Sequence, residues 1–515
     1  MKTKLTLTES FPFTKSNHKT YQLGFLKFEK IKGQDNYYCS GFSRYAMTEY
    51  LSNELGFFRI AQDKSYIVVK HDSGIVEEVQ IHQVKNELQD ILKLLEDEVC
   101  QFEGKEFHIN RQDILDKFHN VQASYFSPGS IDILKALKKP FLRDEAEHSY
   151  FFFRNGLVKV SASRMELIPY EQIHDKLIWK SWIKDHDILL EGDDIKSMFE
   201  DFIDNVAGDQ ESKKGFITAA GYLLSNYNHP SRTQAVLLYD EMITDMDNPA
   251  GGTGKGIWAK GLSQMRRVVV IDGKKFNTNS AFGFQNVTPD TQIIFIDDIK
   301  PDIHFPFFYS ILAEGLTVEQ KGRLSWKFDP KNSPKLVISS NSVLSNKGNS
   351  NKRRMFILEF SDFYSSKIIT GIEEPVKDHH GCMFFDGWDT IEWNRFYLFM
   401  MNCSKEYHIW GLIVIKPKNL NANLLLQQTS EGFYYWVHEQ DFAPNTGYDR
   451  NHYYNDLKDI QYNGDGRDLT PQKFTTFMKR FADSKGWKFD QKKSVFKFIQ
   501  SYQGTKPMDE NGTLF

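Results

Sequence analysis

Apolar positions recur along this chain in several distinct rhythms. From Gly56 the stretch GFFRIAQDKSYIVVKHDSG reads as two short strands around a polar turn at residues 62–64. Ile81, Val84, Leu88, Ile91, Leu92 and Leu95 then fall three or four apart with charges between them. That is the spacing of a helix burying one face. A further turn-bounded β segment covers residues 150–160, and Asn155-Gly156 sits where a tight turn or bulge needs positive φ. Asp193 and Asp194 are expected to cap a helix whose apolar side carries Ile195, Met198, Phe199, Phe202, Ile203 and Val206. A second helix is predicted over residues 216–224.

After His229-Pro230 the rhythm changes. Short, wholly apolar runs occupy residues 235–239, 268–271, 293–296 and 336–338, separated by loops and helical stretches. Runs of this kind suit strands buried on both faces, the signature of a parallel sheet covered by helices. From about Asp362 the pattern turns aromatic and irregular. Near the end, residues 471–484 read as a helix, and WKFDQKKSVFKFI alternates like a hairpin, so helix plus two-stranded wing outlines a small DNA-binding module.

Composition narrows the picture. A chain of 515 residues exceeds one hydrophobic core, which points to two to four domains. A net charge of −4 argues against coating nucleic acid over the whole surface, and leaves room for a local basic channel. Cys39, Cys100, Cys382 and Cys403 lie far apart with no CxxC pair, so neither a disulfide framework nor a zinc ribbon is expected, and a cytoplasmic setting fits. The sequence holds no signal-peptide run at its start and no apolar stretch of about 18 residues, so no membrane association is expected.

The chemistry concentrates in NPAGGTGKG at residues 248–256. Gly251, Gly252, Thr253, Gly254, Lys255 and Gly256 form a candidate phosphate loop. Glycines let backbone N–H groups curl around phosphate oxygens, Lys255 adds a point charge, and the following helix aims its positive end at the same anion. Two positions depart from the usual GxxxxGK[ST] pattern: Pro249 replaces the first glycine, and Gly256 offers magnesium no hydroxyl, so water or Thr253 must substitute. A glycine-rich surface turn is the plain alternative.

Further along, the apolar run at 293–296 ends in Asp297 and Asp298, 42 residues after Lys255 in the case of Asp297. Carboxylates at the C-terminal end of a buried strand suit Mg²⁺ held through water by Asp297 and an attacking water oriented by Asp298. A third run ends in Asn341, an amide able to bond both water and a γ-phosphate. Arg353 and Arg354 precede the apolar run 355–360, and such an arginine can reach a neighbouring subunit's nucleotide. Taken singly, each has an ordinary alternative: an acidic turn, a capping Asn, a solvated basic turn.

In this order, these pieces resemble superfamily 3 helicases, most closely the phage, plasmid and poxvirus primase-helicase group. LTVEQKGR at 316–323 looks like that family's DNA-gripping hairpin, with Lys321 and Arg323 at or near its tip; Arg354 aligns best with its arginine finger and Arg353 second. The upstream segments around 66–69 and 153–160 resemble the group's helicase-associated region. The resemblance implies an α/β fold with a P-loop AAA+-like ATPase core of superfamily 3 type, an α+β N-terminal region and a C-terminal winged-helix-like domain. The expected division is 1–54 unassigned, 55–205 helicase-associated, 206–365 ATPase core, 366–435 aromatic-rich extension and 436–515 winged-helix-like. It further implies ATP and Mg²⁺ as cofactors, a hexameric ring translocating on single-stranded or forked DNA during replication of a phage, plasmid or other mobile element, and a separate primase or initiator as partner.

The alternatives are a hydrolysis-deficient origin-binding or scaffold protein, or a ring ATPase for DNA loading or packaging. Between residues 473 and 497, eight basic residues face Asp483 and Asp490, a second candidate DNA contact, with a solvated basic helix as the alternative. Primase chemistry finds no support: Asp185-His-Asp187 reads as a loop and Glu103-Gly104 is isolated. The cluster His379-His380-Gly-Cys382 lacks enough further ligands for a metal site and reads as a structural loop.

Overall fold

In a computed structural model, residues 12–13 and 21–500 are described, apart from 31, 34–35, 63–64, 103–104, 242–251, 323, 345–350, 352 and 462–468. Gly251, Arg323, Glu103-Gly104 and most of the turn at 62–64 therefore lie outside the described residues. The chain is a mixed α/β protein built around one five-stranded parallel sheet. Its strands are β1 (Ala235–Asp240), β2 (Val268–Asp272), β3 (Ile293–Asp297), β4 (Lys335–Ser339) and β5 (Met355–Phe360). They lie in the order β2-β3-β4-β1-β5.

The apolar runs form strands because each can bury both faces. On β1, Val236 and Leu238 join Trp258, Ala259 and Leu262 of helix α3 (Lys255–Met265), while Ala235, Leu237 and Tyr239 pack with Phe305 and Phe308 on the other side. One run departs from that expectation. β2 is an edge strand, and Val270 is 60% exposed.

Two more helices, α1 (Met198–Ala207) and α2 (Gln210–Leu224), cover the α3 face together with the long α4 (Thr390–Trp410). The cap of α1 corrects the sequence expectation. Ser197 accepts the Glu200 N–H at 3.0 Å, whereas Asp193 is engaged by Arg395, and Ile195 stays outside the helix and exposed. Beyond Asp362 the chain is helical rather than irregular: Phe363–Ile369, Pro375–His380, α4, Leu420–Gln428 and Glu431–Glu439 follow one another. In α4, Phe396, Tyr397, Phe399, Met400, Met401 and Cys403 are all buried, so the wide apolar face blurs the period a surface helix displays.

Upstream, Phe57–Gln62, Ser65–Asp72 and Ile75–Glu78 form an antiparallel set, and helix Ile81–Lys93 buries Val84, Leu88, Ile91 and Leu92. His148–Phe153 pairs with Gly156–Ser161 across a turn at Arg154-Asn155, with Gly156, at φ +145°, opening the second strand. At the far end, helices Arg450–Gln461 and Pro471–Ser484 pack with a small sheet whose strands run in the order Gly447–Asp449, Val495–Gln500, Trp487–Lys492. No helix among the described residues is long and apolar enough to cross a membrane.

Lys335, the first residue of β4, is 2% exposed; its Nζ donates to the Tyr227 carbonyl at 3.0 Å and lies 3.8 Å from the centre of the Tyr222 ring. Burial pushes this ammonium from 10.5 down to about 7. Between those two values the unfolded lysine holds a proton that the folded one releases, so this group's contribution makes stability rise with pH through that window. Lys335→Met is expected to remove that rise. The parent's melting temperature should therefore rise relative to the variant's between pH 7 and 10, and parallel curves would show that Lys335 is not linked to protons.

Candidate active site at the carboxyl edge of the sheet

The strand order creates a crevice. From β1 the chain crosses β4 and β3 to reach β2, whereas from β4 it returns across β1 to β5, so neighbouring strands send their connections in opposite directions. Ligands of open α/β sheets bind at such a divergence, outside the carboxyl ends of the strands. β1 ends there in Asp240, and α3 begins there at Lys255.

Gly252 and Gly254 adopt φ of +93° and +106°. The backbone conformation favours glycine at both; a Cβ at Gly254 would also come within 2.9 Å of the Phe202 ring, and one at Gly252 would displace only the end of the Ile368 side chain. Gly256 is different: a Cβ there meets nothing within 4 Å, and its φ is ordinary for a helix. The position after Lys255 is thus open, and no backbone constraint accounts for its glycine.

Lys255 is held at the head of α3 by two partners. Its Nζ donates to Asp240 Oδ2 at 2.6 Å and to Asn341 Oδ1 at 2.9 Å, with side chains 12% and 6% exposed for Lys255 and Asp240. Thr253, itself buried, donates its hydroxyl to Asp240 Oδ1 at 2.5 Å. The Asn341 amide then donates to Asp298 Oδ1 at 3.1 Å, and Lys274 pairs with Asp298 Oδ2 at 2.8 Å. Ser339 donates to Asp297 Oδ1 at 2.6 Å and accepts the Asp298 N–H at 2.7 Å. Asp298 has φ +57°, a strained setting for a non-glycine residue, held by these contacts. One polar network therefore links the ends of β1, β3 and β4 and brings together Thr253, Lys255, Asp297, Asp298 and Asn341.

Asp240, Lys274 and Ser339 were missed in the sequence reading. Asp240 and Ser339 each follow a wholly apolar run, as Asp297 does, and that shared position is the signal that could have found them. Lys274 carries no such mark; pairing with Asp298 raises its pKa above the ordinary lysine value.

The remaining candidates lie elsewhere. Met355 is in register with Ala235 and Phe360 with Asp240, which puts Arg354 at the amino end of the sheet, about 17–20 Å of strand from Asp240. Its guanidinium lies 4.3 Å from the centre of the Tyr309 ring, and Arg353 beside it is exposed. Thr317–Val318 pairs antiparallel with Trp326–Lys327, a short hairpin whose connecting segment carries exposed Lys321. The hairpin base also sits near the amino end: the Leu316 N–H donates to Ser333 Oγ, two residues before β4. Asp185-His-Asp187 is a loop tied to Arg154. In the C-terminal unit, Lys473, Lys479, Lys485, Lys488, Lys492, Lys493 and Lys497 are all exposed.

No family model matches the chain, and no curated protein matches it. Among solved structures it is similar to the C-terminal region of NrS-1. An A-form apo structure of that region shares 12% identity at a TM-score of 0.39, covering 88% of this chain and 98% of that one. An apo structure of residues 305–718 gives 12% and 0.35 over the same shares, and another A-form structure gives 11% and 0.28 over 68% and 96%. A likeness this remote says nothing of activity.

The Asp240–Lys255 pair should be measurable by itself. A double-mutant cycle of Asp240→Ala and Lys255→Ala, read by denaturant unfolding, is expected to return a coupling of about 1–3 kcal/mol. Additive single effects would mean that the two side chains act independently in solution.

Proposed function

We propose that this chain is an ATP-dependent DNA helicase of superfamily 3 type, a P-loop AAA+-like ATPase that works as a ring, with a C-terminal winged-helix-like DNA-binding domain and the five-part division set out above. The observation that carries the reading is the network joining Lys255 to Asp240, Asn341 and Asp298 at the sheet's switch point. The donor set suits a magnesium-bound triphosphate. A cation opens a helix next to two left-handed glycines, and Asn341 links it to Asp298, which follows the Asp297 that ends β3.

In this reading Lys255 exchanges Asp240 and Asn341 for β- and γ-phosphate oxygens, while the loop N–H groups around Gly251–Gly256 hold the rest of the chain of phosphates. Asp297, with one oxygen on Ser339, keeps the other for a water in the magnesium shell; the ion, when bound, neutralises charge building on the phosphates. Asn341 holds the water that attacks the γ-phosphorus and Asp298 accepts its proton, as the bond from that phosphorus to the bridging oxygen breaks and ADP leaves with the electron pair. Arg354, too far from its own subunit's loop, serves the neighbour's, with Arg353 as second choice. Lys321 and Arg323 grip DNA from the hairpin, and the exposed lysines of the C-terminal unit add a phosphate-binding surface. The setting is a cytoplasmic replication assembly of a phage, plasmid or other mobile element, working with a separate primase or initiator.

A second reading has its own support. Gly256 lacks a hydroxyl and that of Thr253 is bonded to Asp240, which favours a nucleotide-binding scaffold that does not hydrolyse. Turnover decides between them. Lys255→Ala is expected to lower DNA-stimulated ATP hydrolysis by about 10²–10³-fold while DNA binding persists, and Lys321→Ala to keep basal hydrolysis and lose separation of a forked duplex. Wild-type protein without Mg²⁺-dependent turnover would establish the scaffold reading; turnover indifferent to DNA, with no strand separation, would point to loading or packaging.

A further inference from the structure

The His379-His380 pair gains in the fold what it lacks in the sequence. Helix Pro375–His380 packs near α1, and Asp201, in the first turn of α1, turns Oδ2 toward both rings. That oxygen lies 3.4 Å from His379 Nε2 and 3.6 Å from His380 Nδ1, and the three atoms all fall within 4.8 Å of one another. Charge-assisted hydrogen bonds between such groups run to about 2.7–2.9 Å, so both contacts are long for direct bonds. They are close to the edge of a tetrahedron around zinc. Bonds of about 2.0–2.1 Å put neighbouring donor atoms about 3.3–3.4 Å apart.

The surroundings fit the same reading. Ligand histidines usually anchor their second nitrogen. His380 Nε2 is 2.7 Å from the Tyr364 hydroxyl, which also receives the Asn205 amide at 3.1 Å. The His380 side chain is 3% exposed, whereas Asp201 is 44% exposed, which leaves a solvent side for water as a fourth ligand. The other oxygen of Asp201 faces Lys196 at 3.5 Å. Cys382 takes no part: its Sγ lies 3.7 Å from the Met198 sulfur. One contact opposes an ion. Lys367 Nζ sits 3.4 Å from His379 Nδ1, the nitrogen that must carry the proton when Nε2 binds metal. This lysine has to swing away, and its place beside the Phe363 ring, 4.9 Å from the centroid, shows it is not locked to the imidazole alone.

We propose that Asp201, His379 and His380 bind one divalent ion of the zinc class, with water completing the shell, and that the ion clamps helix Pro375–His380 to α1. The clamp lies next to the phosphate loop. Phe202, adjacent to Asp201, faces Gly254, and Ile368, on the helix before the histidines, faces Gly252. The ion thus braces two of the walls that shape the loop, and the assignment does not depend on what the loop binds.

The test uses untagged full-length protein, with Co²⁺ as the spectroscopic probe and excess Mg²⁺ present. One equivalent of Co²⁺ should bind with visible absorption of a tetrahedral site and no thiolate charge-transfer band, and Zn²⁺ should displace it. His379→Ala, at an exposed position, and Asp201→Asn should each weaken binding at least tenfold. Tyr364→Phe should weaken it about tenfold through loss of the anchoring hydroxyl. Lys367→Met should tighten it, and Cys382→Ser and Asp297→Asn should leave it unchanged. Absence of the absorption in wild-type protein, its survival in both His379→Ala and Asp201→Asn, or its loss in Cys382→Ser or Asp297→Asn would each overturn the assignment. Circular dichroism of every variant separates lost binding from lost folding.

Discussion

The lysine at the head of α3 is nearly buried, and a nearly buried cation must be paired. Lys255 meets that demand with Asp240 and Asn341, which end or follow the two strands on either side of the switch point. At the end of β3, Asp298 joins through Asn341 and Asp297 through Ser339. The contacts are short and largely withdrawn from water, so the loss of one partner leaves another group desolvated and uncompensated. The position of every polar group along this edge is therefore set by its neighbours. On the proposed function, a ligand that replaces Asp240 as the partner of Lys255 must bring negative charge of its own.

That network depends on the sheet beneath it. β1 and β4 lie side by side because each has apolar residues for both faces, one set against α3 and the other against Phe305 and Phe308. An edge position is less demanding, and β2 tolerates an exposed Val270 there. The helices that follow Asp362 complete the cover from the opposite end of the chain: α4 lies against the α2 side of the sheet and Ile368 closes on Gly252. The loop is shaped in part by Ile368, more than a hundred residues from Gly252 in sequence.

The fold also separates two kinds of chemistry. Lys255, Asp297, Asp298 and Asn341 gather at the carboxyl edge, while Arg354 and the base of the Lys321 hairpin lie toward the amino edge. The hairpin belongs to the connection between β3 and β4, the strands that end in Asp297 and lead to Asn341. A displacement at one end of these strands has a short, stiff route to the other, because extended backbone paired on both sides changes length very little. On the helicase reading, this is the route by which phosphate chemistry would be felt at the DNA grip.

Much of this was legible before any coordinates. The apolar runs marked four strands to within a residue or two, and helix Ile81–Lys93 and the terminal helix and hairpin followed from periodicity, since local pattern reflects which faces are buried. Lys255, Asp297, Asp298 and Asn341 were visible because each stands where an apolar run or a glycine loop stops. Other features were invisible for a physical reason: they depend on contacts between distant segments. Ser197 rather than Asp193 caps α1, and Asp193 pairs instead with the distant Arg395. Asp240 and Lys274 became part of the site only when the strand order set them beside Lys255 and Asp298. Two adjacent histidines were no more than a loop until Asp201, far upstream, was folded against them. Sequence determined the elements and the chemical groups at their ends; tertiary packing decided which of those groups meet, because desolvation and pairing act through space and not along the chain.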